Sequence, residues 1–199
     1  MIKLPDINDP LCNEIFNKTK SEIEGLSSKL KIDNLSKKFF KEIVIPLAIY
    51  FNSLTNNEDP YLIGFTGGQG SGKTTLSDFV QLILQVGFEK KTTGFSIDDL
   101  YKTPEERDIL AETIHPLCKV RGVPGTHNIK LGLDVLNSLY KANSFTETAI
   151  PSFSKTQDKH LPEEVWIKFK GKPDFIFLTH GLEALNQFHL ITGDHQLIN

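Results

Sequence analysis

Apolar positions follow two different periods along this chain, and the change between them divides it. Residues 11–31 hold scattered apolar positions among Glu and Lys, which predicts a weakly amphipathic helix. Leu35, Phe39, Ile43, Leu47 and Phe51 recur about every four residues and predict a second, firmer helix with one apolar face. Pro46 interrupts it and predicts a kink, since proline has no N–H to give to the preceding turn. Asn56 to Pro60 is a loop by composition. Tyr61 to Thr66 then reads as a buried strand, and Leu76, Phe79, Val80, Ile83 and Leu84 return to helical spacing, with Gly87 placed to end that helix.

Thr92 to Ile97 predicts a second short strand, ending at Asp98-Asp99. Thr103-Pro104-Glu105-Glu106 is a helix start, with Thr103 as cap, Pro104 in the first position and Glu106 closing a capping box. Ile129 to Tyr140 predicts another helix, capped by Asn128, and Ala149-Ile150 a strand end. Asp174 to Leu178 is an apolar run, Phe-Ile-Phe-Leu after the aspartate, and predicts a third core strand. With no later strands to flank it, that strand would leave an apolar edge exposed. Alternating strands and helices of this kind predict an α/β fold with a parallel sheet covered by helices.

Between the first strand and its helix stands Gly67-Gly68-Gln69-Gly70-Ser71-Gly72-Lys73-Thr74, a full match to G-x-x-x-x-G-K-[ST]. Such a loop wraps phosphate oxygens with backbone N–H groups, and side chains would block the approach, so glycines line it. The helix that follows offers its unpaired N–H groups and positive dipole end to an anion. Lys73 is expected to reach the outer phosphates, and the Thr74 hydroxyl to hold Mg²⁺, with Thr75 completing the nucleotide-binding stretch Gly67–Thr75. These residues predict a P-loop NTPase-type three-layer core over 59–199, preceded by a helical extension over 1–58, with ATP and Mg²⁺ as its ligands.

Composition narrows the class without changing it. The 199 residues are 39% hydrophobic and 24% charged with a net charge of −3, an ordinary globular balance with no basic field for nucleic acid or an acidic membrane. Cys12 and Cys118 lie too far apart in sequence for a cysteine-based zinc site and are too few for a disulfide framework, which points to a reducing, cytoplasmic setting. Neither a signal peptide nor a run of about 20 apolar residues is visible.

A phosphate loop serves ATPases, GTPases and kinases alike. The chain carries no Asn-Lys-x-Asp string to specify guanine. Asp98 falls at the carboxyl end of the second strand, the edge where open α/β sheets bind ligands. A carboxylate there can take a hydroxyl proton or hold Mg²⁺; the other reading of Asp98 and Asp99 is a solvated acidic loop. Arg121-Gly122-Val123-Pro124-Gly125-Thr126-His127 is a turn rich in donors, able to grip an anionic or hydroxylated acceptor, or else only to cap the helix at Ile129.

Taken in order, these stretches resemble the P-loop kinases of the D-glycerate 3-kinase group, near phosphoribulokinase, uridine kinase and pantothenate kinase. The resemblance begins at Ile45-Pro46-Leu47-Ala48, runs through the phosphate loop, Ser96–Tyr101 and Arg121–His127, and continues more weakly at Ile150-Pro151-Ser152-Phe153-Ser154-Lys155, about two thirds of the chain. It implies transfer of the ATP γ-phosphoryl group to a small hydroxylated acceptor. Lys73 and Asp98 would be catalytic, Thr74 and Asp98 would hold metal, and Asp99, Tyr101, Arg121, Thr126 and His127 would bind the acceptor.

The chain departs from the family pattern at Asn128, where Asp is usual, and at Ser152–Lys155, which lacks the Arg and Asp of an Arg-Phe-Asp-Lys string. It departs again after Leu178, where Thr179-His180-Gly181 stands in place of Glu-Gly-Trp. The loss of pattern there predicts a truncated or frameshifted reading frame, or a divergent paralogue, with weak turnover. The competing functional readings are a nucleotide-binding protein without turnover and a related kinase acting on a nucleoside or pantothenate. The oligomeric state is open.

Overall fold

The structure is a computed structural model that describes residues 10–33, 36–55 and 59–181. Two expected features fall partly outside these residues: Leu35 of the second helix, and residues 56–58 of the loop after it. The loss of family pattern is described only as far as Gly181.

Helix α1 spans Pro10–Lys29. A short helix α2, Lys37–Phe39, widens into a π-helical segment, Phe40–Val44, and continues as α3, Ile45–Leu54. The widening lies just before Pro46, which has no N–H to offer Glu42. In that turn the Ile45 N–H donates instead to the carbonyl of Phe40, five residues back. The predicted interruption therefore takes the form of a π turn.

Strand β1 (Tyr61–Thr66) leads through the phosphate loop into α4 (Lys73–Phe88), and β2 (Thr92–Ser96) follows. Gly87 does not end α4. Glu89, in the left-handed conformation, closes the helix, and Gly87 lies within its last turn, where a Cβ would come 3.2 Å from Ile15 Cγ2 of α1. The glycine admits a neighbouring helix. Strand β2 also stops earlier than predicted: Ile97 begins a 3₁₀ turn, Ile97–Leu100, so Asp98 sits just past the strand. Beyond it come α5 (Pro104–Thr113), α6 (Ile129–Lys141), β3 (Glu147–Ile150), β4 (Phe153–Ser154), β5 (Lys159–His160), β6 (Ile167–Lys170) and β7 (Phe175–His180). The capping box at Thr103 and Glu106 and the Asn128 cap form as predicted.

The main sheet is parallel, in the order β1-β7-β2. The third predicted strand is thus not an unflanked edge. As β7 it occupies the centre, with Ile63 of β1 and Gly94 of β2 on either side of Phe177, and all six of its residues are buried. Its side chains alternate between two cores. Phe175 and Phe177 pack with Ile63, Phe79, Ile83, Val44, Ile45 and Ile15 under α1, α3 and α4. Ile176 and Leu178 pack with Phe95, Ile97, Val135 and Leu139 under α6. Helices cover both faces, which gives the expected three layers. Two antiparallel pairs, β3 with β6 and β4 with β5, stand apart from this sheet. No helix among the described residues is long and apolar enough to cross a membrane.

Candidate active site

The carboxyl ends of β1 and β2 open into a cleft of about 680 Å³. One wall is the phosphate loop, represented by Gln69, Gly70, Lys73 and Thr74; the other is formed by Tyr101, Arg121, Gly122, Val123, His127 and Lys155. Asp98 and Asp99 lie at its floor, beside Ser96.

The loop is built by its backbone. Gly70 and Gly72 have φ of +74° and +81°, the left-handed region that side chains resist. Gly72 is the cap residue of α4, and no side chain among the described residues caps that helix. Its first N–H groups are thereby left for an anion, which fits a phosphate. Gly67 approaches Ser71 so closely that a Cβ would lie 2.8 Å from the serine hydroxyl. Lys73 Nζ donates to the carbonyl of Gly68 at 3.3 Å, so the lysine is folded back over its own loop. Thr74 is exposed at the cleft, and Thr75, one residue on, is half-buried and does not line it.

The two carboxylates on the floor have opposite surroundings. Asp99 accepts the backbone N–H of Ser96 on one oxygen, at 3.0 Å, and that of Phe153 on the other, at 3.2 Å. Burial nonetheless pushes its carboxyl above the usual range, against the pull of those two N–H groups. Burial also pushes Asp98 upward, but here the hydrogen bond and charge of Lys155, with Tyr101 and His127, outweigh it and hold the carboxyl below the usual range. Lys155 Nζ lies 2.6 Å from Asp98 Oδ2. An ion pair this open to solvent stabilises the fold by only about 0–1 kcal/mol, so a ligand can displace it.

The far wall is knit by side chains. The Tyr101 ring stacks on His127 with centroids 4.3 Å apart, and both are buried. Thr126, also buried, donates its hydroxyl to the carbonyl of Val123 and holds the turn from behind. The Arg121 guanidinium lies 5.9 Å from the centroids of both Tyr101 and Phe153. Its Nη1 donates to the Lys155 carbonyl at 2.9 Å and pairs with Asp158 Oδ1 at 3.2 Å. Asp158 also pairs with Arg107 of α5, whose side chain is only 4% exposed. One carboxylate thus joins two arginines and ties the β4–β5 hairpin to the turn. Asn128, where the family pattern has Asp, accepts the Leu131 N–H at 3.1 Å as the α6 cap, a task either residue performs.

The predicted residues Gln69, Gly70, Lys73, Thr74, Asp98, Asp99, Tyr101, Arg121 and His127 therefore meet at one cleft, while Thr126 lies behind it. Lys155, Asp158 and Arg107 were not among them. Lys155 was visible only as the retained end of the Ser152–Lys155 string. His180, at the end of β7, is buried and puts no carboxylate at that strand end. Among the described residues no group of three or more His, Cys, Asp or Glu is set to hold a metal. A Mg²⁺ ion held by Thr74 and Asp98 would therefore complete its shell with phosphate and water, as is usual for this ion.

Comparison with known proteins points the same way. No family model matches the chain. It is 34% identical over 161 residues to the probable ATP-dependent kinase TDA10 of Saccharomyces cerevisiae, covering 73% of this chain and 56% of that one. It is 30% identical over 115 residues to the chloroplastic D-glycerate 3-kinase of Arabidopsis thaliana, covering 55% of this chain and 25% of that one. A possible uridine kinase from Bacillus stearothermophilus superposes with a TM-score of 0.54 over 74% of each chain, at 13% identity, a likeness of fold alone. The chain thus spans from a quarter to just over half the length of these curated relatives.

Proposed function

We propose that the chain is a P-loop kinase of the superfamily of phosphoribulokinase, uridine kinase and pantothenate kinase, a reading supported by its similarity to a probable ATP-dependent kinase and a D-glycerate 3-kinase, and that it transfers the γ-phosphoryl group of ATP to a hydroxyl of a small, glycerate-like acid. The observation that carries this reading is the single cleft in which Lys73 and Thr74 face Asp98, Arg121 and His127. The nucleotide phosphates would lie on the loop and the α4 N-terminus, with Lys73 leaving the Gly68 carbonyl to meet them. The acceptor would lie against the far wall, an anionic group on Arg121 and a hydroxyl toward Asp98 and His127.

In the reaction the acceptor oxygen bonds to the γ-phosphorus as the bond from that phosphorus to the departing ADP oxygen breaks. The hydroxyl proton passes to Asp98. Lys73 and the α4 N–H groups hold the charge on the phosphoryl oxygens. Thr74 and Asp98 would hold a Mg²⁺ ion, which would supply charge neutralisation to the phosphates. Asp99, both of whose oxygens accept backbone N–H groups, shapes the floor on which Asp98 stands.

A second reading, nucleotide binding without turnover, is favoured by two features: Asp98 is already paired with Lys155, and β7 ends in Thr179-His180 with no carboxylate. One experiment separates them. ADP formation is measured with ATP and Mg²⁺ alone, then with glycerate, a nucleoside or pantothenate added. Glycerate-dependent ADP is expected. Nucleotide binding with no acceptor-dependent ADP would leave the second reading standing, and a response to the nucleoside or pantothenate would move the acceptor assignment.

A further inference from the structure

Lys155 occupies an unusual place for a residue outside every expected role. Its ammonium sits 2.6 Å from Asp98, the group that takes the acceptor proton in the reading above, so it lies beside the reacting atoms. Its backbone is fixed from three directions. Arg121 Nη1 donates to its carbonyl, the Phe153 N–H two residues earlier donates to Asp99, and the Gln157 N–H two residues later donates to Ser154 Oγ at 3.2 Å. Its side chain, by contrast, is 61% exposed on a flexible four-carbon stem and is held at its tip by the solvent-exposed pair with Asp98. A fixed root and a weakly held tip make an arm that can swing within the cleft. The phosphate loop is the opposite wall of that same cleft.

Asp98 Oδ2 cannot hold this ammonium and receive a hydroxyl at the same point. When the acceptor hydroxyl takes the oxygen, Lys155 is displaced, and a triphosphate on the loop that lines the same cleft would offer its ammonium a larger negative charge than the carboxylate it leaves. A compact ammonium suits a phosphoryl group as a point charge. Resting on the proposed kinase function, we propose that Lys155 is a further catalytic residue: it shields Asp98 in the resting cleft and, once nucleotide and acceptor are bound, moves to the γ-phosphoryl oxygens. No bond to Lys155 forms or breaks. The transferred phosphoryl passes from ADP oxygen to acceptor oxygen, its proton partner goes to Asp98, and Lys155 contributes charge alone.

The test compares wild type with Lys155→Met, which keeps length and loses charge, and Lys155→Arg. Binding of ADP and of a non-hydrolysable ATP analogue, each with Mg²⁺ and with glycerate present as acceptor, is measured by calorimetry beside acceptor-dependent turnover. Lys155→Met should bind ADP as wild type does, bind the triphosphate analogue on the order of tenfold more weakly, and turn over about a hundredfold more slowly. Lys155→Arg should keep the preference for the triphosphate. Unchanged binding of both nucleotides in Lys155→Met would overturn the proposal, as would equal loss of both, or turnover faster than wild type, which would make Lys155 a stopper. The binding comparison reads Lys155 without turnover. If wild type binds both nucleotides yet forms no acceptor-dependent ADP, the kinase reading fails while the triphosphate contact is still decided. If wild type binds neither, both fail together.

Discussion

The two walls of the cleft are built by different means. The phosphate loop is backbone: glycines in left-handed conformations, an uncapped helix start, and Lys73 resting weakly on Gly68 at 3.3 Å. The acceptor wall is side chain: a stacked Tyr101–His127 pair, Arg121 seated between two rings, and Asp158 shared by two arginines. The first wall has donors waiting for partners; the second ties its charged groups to one another. A ligand supplies what the loop lacks, whereas the far wall is preformed and selects by shape and charge. Changes on the loop side should therefore alter binding with little effect on the fold, and changes in the far wall should reach the fold as well.

Asp98 stands between the walls and tests the comparison most strongly. Asp98→Asn keeps the shape and removes the base, and general-base loss costs about 10²–10⁴ in rate. Acceptor-dependent turnover should fall by about three orders of magnitude while the affinity for ADP stays within a few-fold. Turnover that survives in Asp98→Asn and is lost in Asp99→Asn would exchange the two roles. Lys73→Ala should come next, weakening ADP by roughly 10- to 100-fold through loss of a charge-assisted contact. Its melting temperature without nucleotide should match wild type, because Lys73 is held by the Gly68 carbonyl, which is solvent-exposed.

Asp158→Ala should show the opposite signature. It leaves the buried Arg107 guanidinium without its carboxylate, a loss that costs several kcal/mol when a pair is fully buried. The carboxylate itself is 38% exposed, so about 1–3 kcal/mol is expected here, or a melting temperature lower by several degrees. The KM for the acceptor should rise as Arg121 loses its anchor, and ADP affinity should hold. A melt identical to wild type would show that the far wall is not held in the way its contacts imply.

The same division decides what was legible in the sequence. Tyr61–Thr66, the glycine loop and Leu76–Leu84 state their structure locally, by strand-forming residues, a fixed motif and a helical period, and all three form where they were expected. The capping signals at Thr103 and Asn128 are equally local. The central place of β7 is not. An apolar run announces burial, but its neighbours β1 and β2 lie more than 70 residues away in sequence, and nothing within Phe175–His180 encodes that pairing. Gly87 misled for a related reason: a glycine near a helix end also serves close packing, and only the position of Ile15 tells the two apart. In the site, the loop and Asp98 were legible by type and spacing. Lys155, Asp158 and Arg107 were not, because their roles arise when a hairpin of two-residue strands folds onto a turn some 35 residues earlier.

The smallest effect separates the neighbouring carboxylates by pH. Asp98 has its folded pKa held below the usual value, so its contribution to stability is fully present above the unfolded value near 3.9 and is lost as pH falls below that value. Asp99 has its folded pKa raised, so the sign reverses: the charged form is the costly one, and stability from this group grows as pH falls through its folded pKa toward the unfolded value. The two windows lie on opposite sides of pH ~4. Melting temperatures measured from pH 7 to pH 3 should show Asp98→Asn losing less stability than wild type below pH ~4. Asp99→Asn should diverge above that point, lacking the gain that wild type shows as it is acidified. Both differences should amount to a few degrees at most, since Lys155 and Asp98 are open to solvent and their pair is weak. If the two variants diverge from wild type in the same pH window, the two carboxylates do not have the opposite surroundings that their contacts imply.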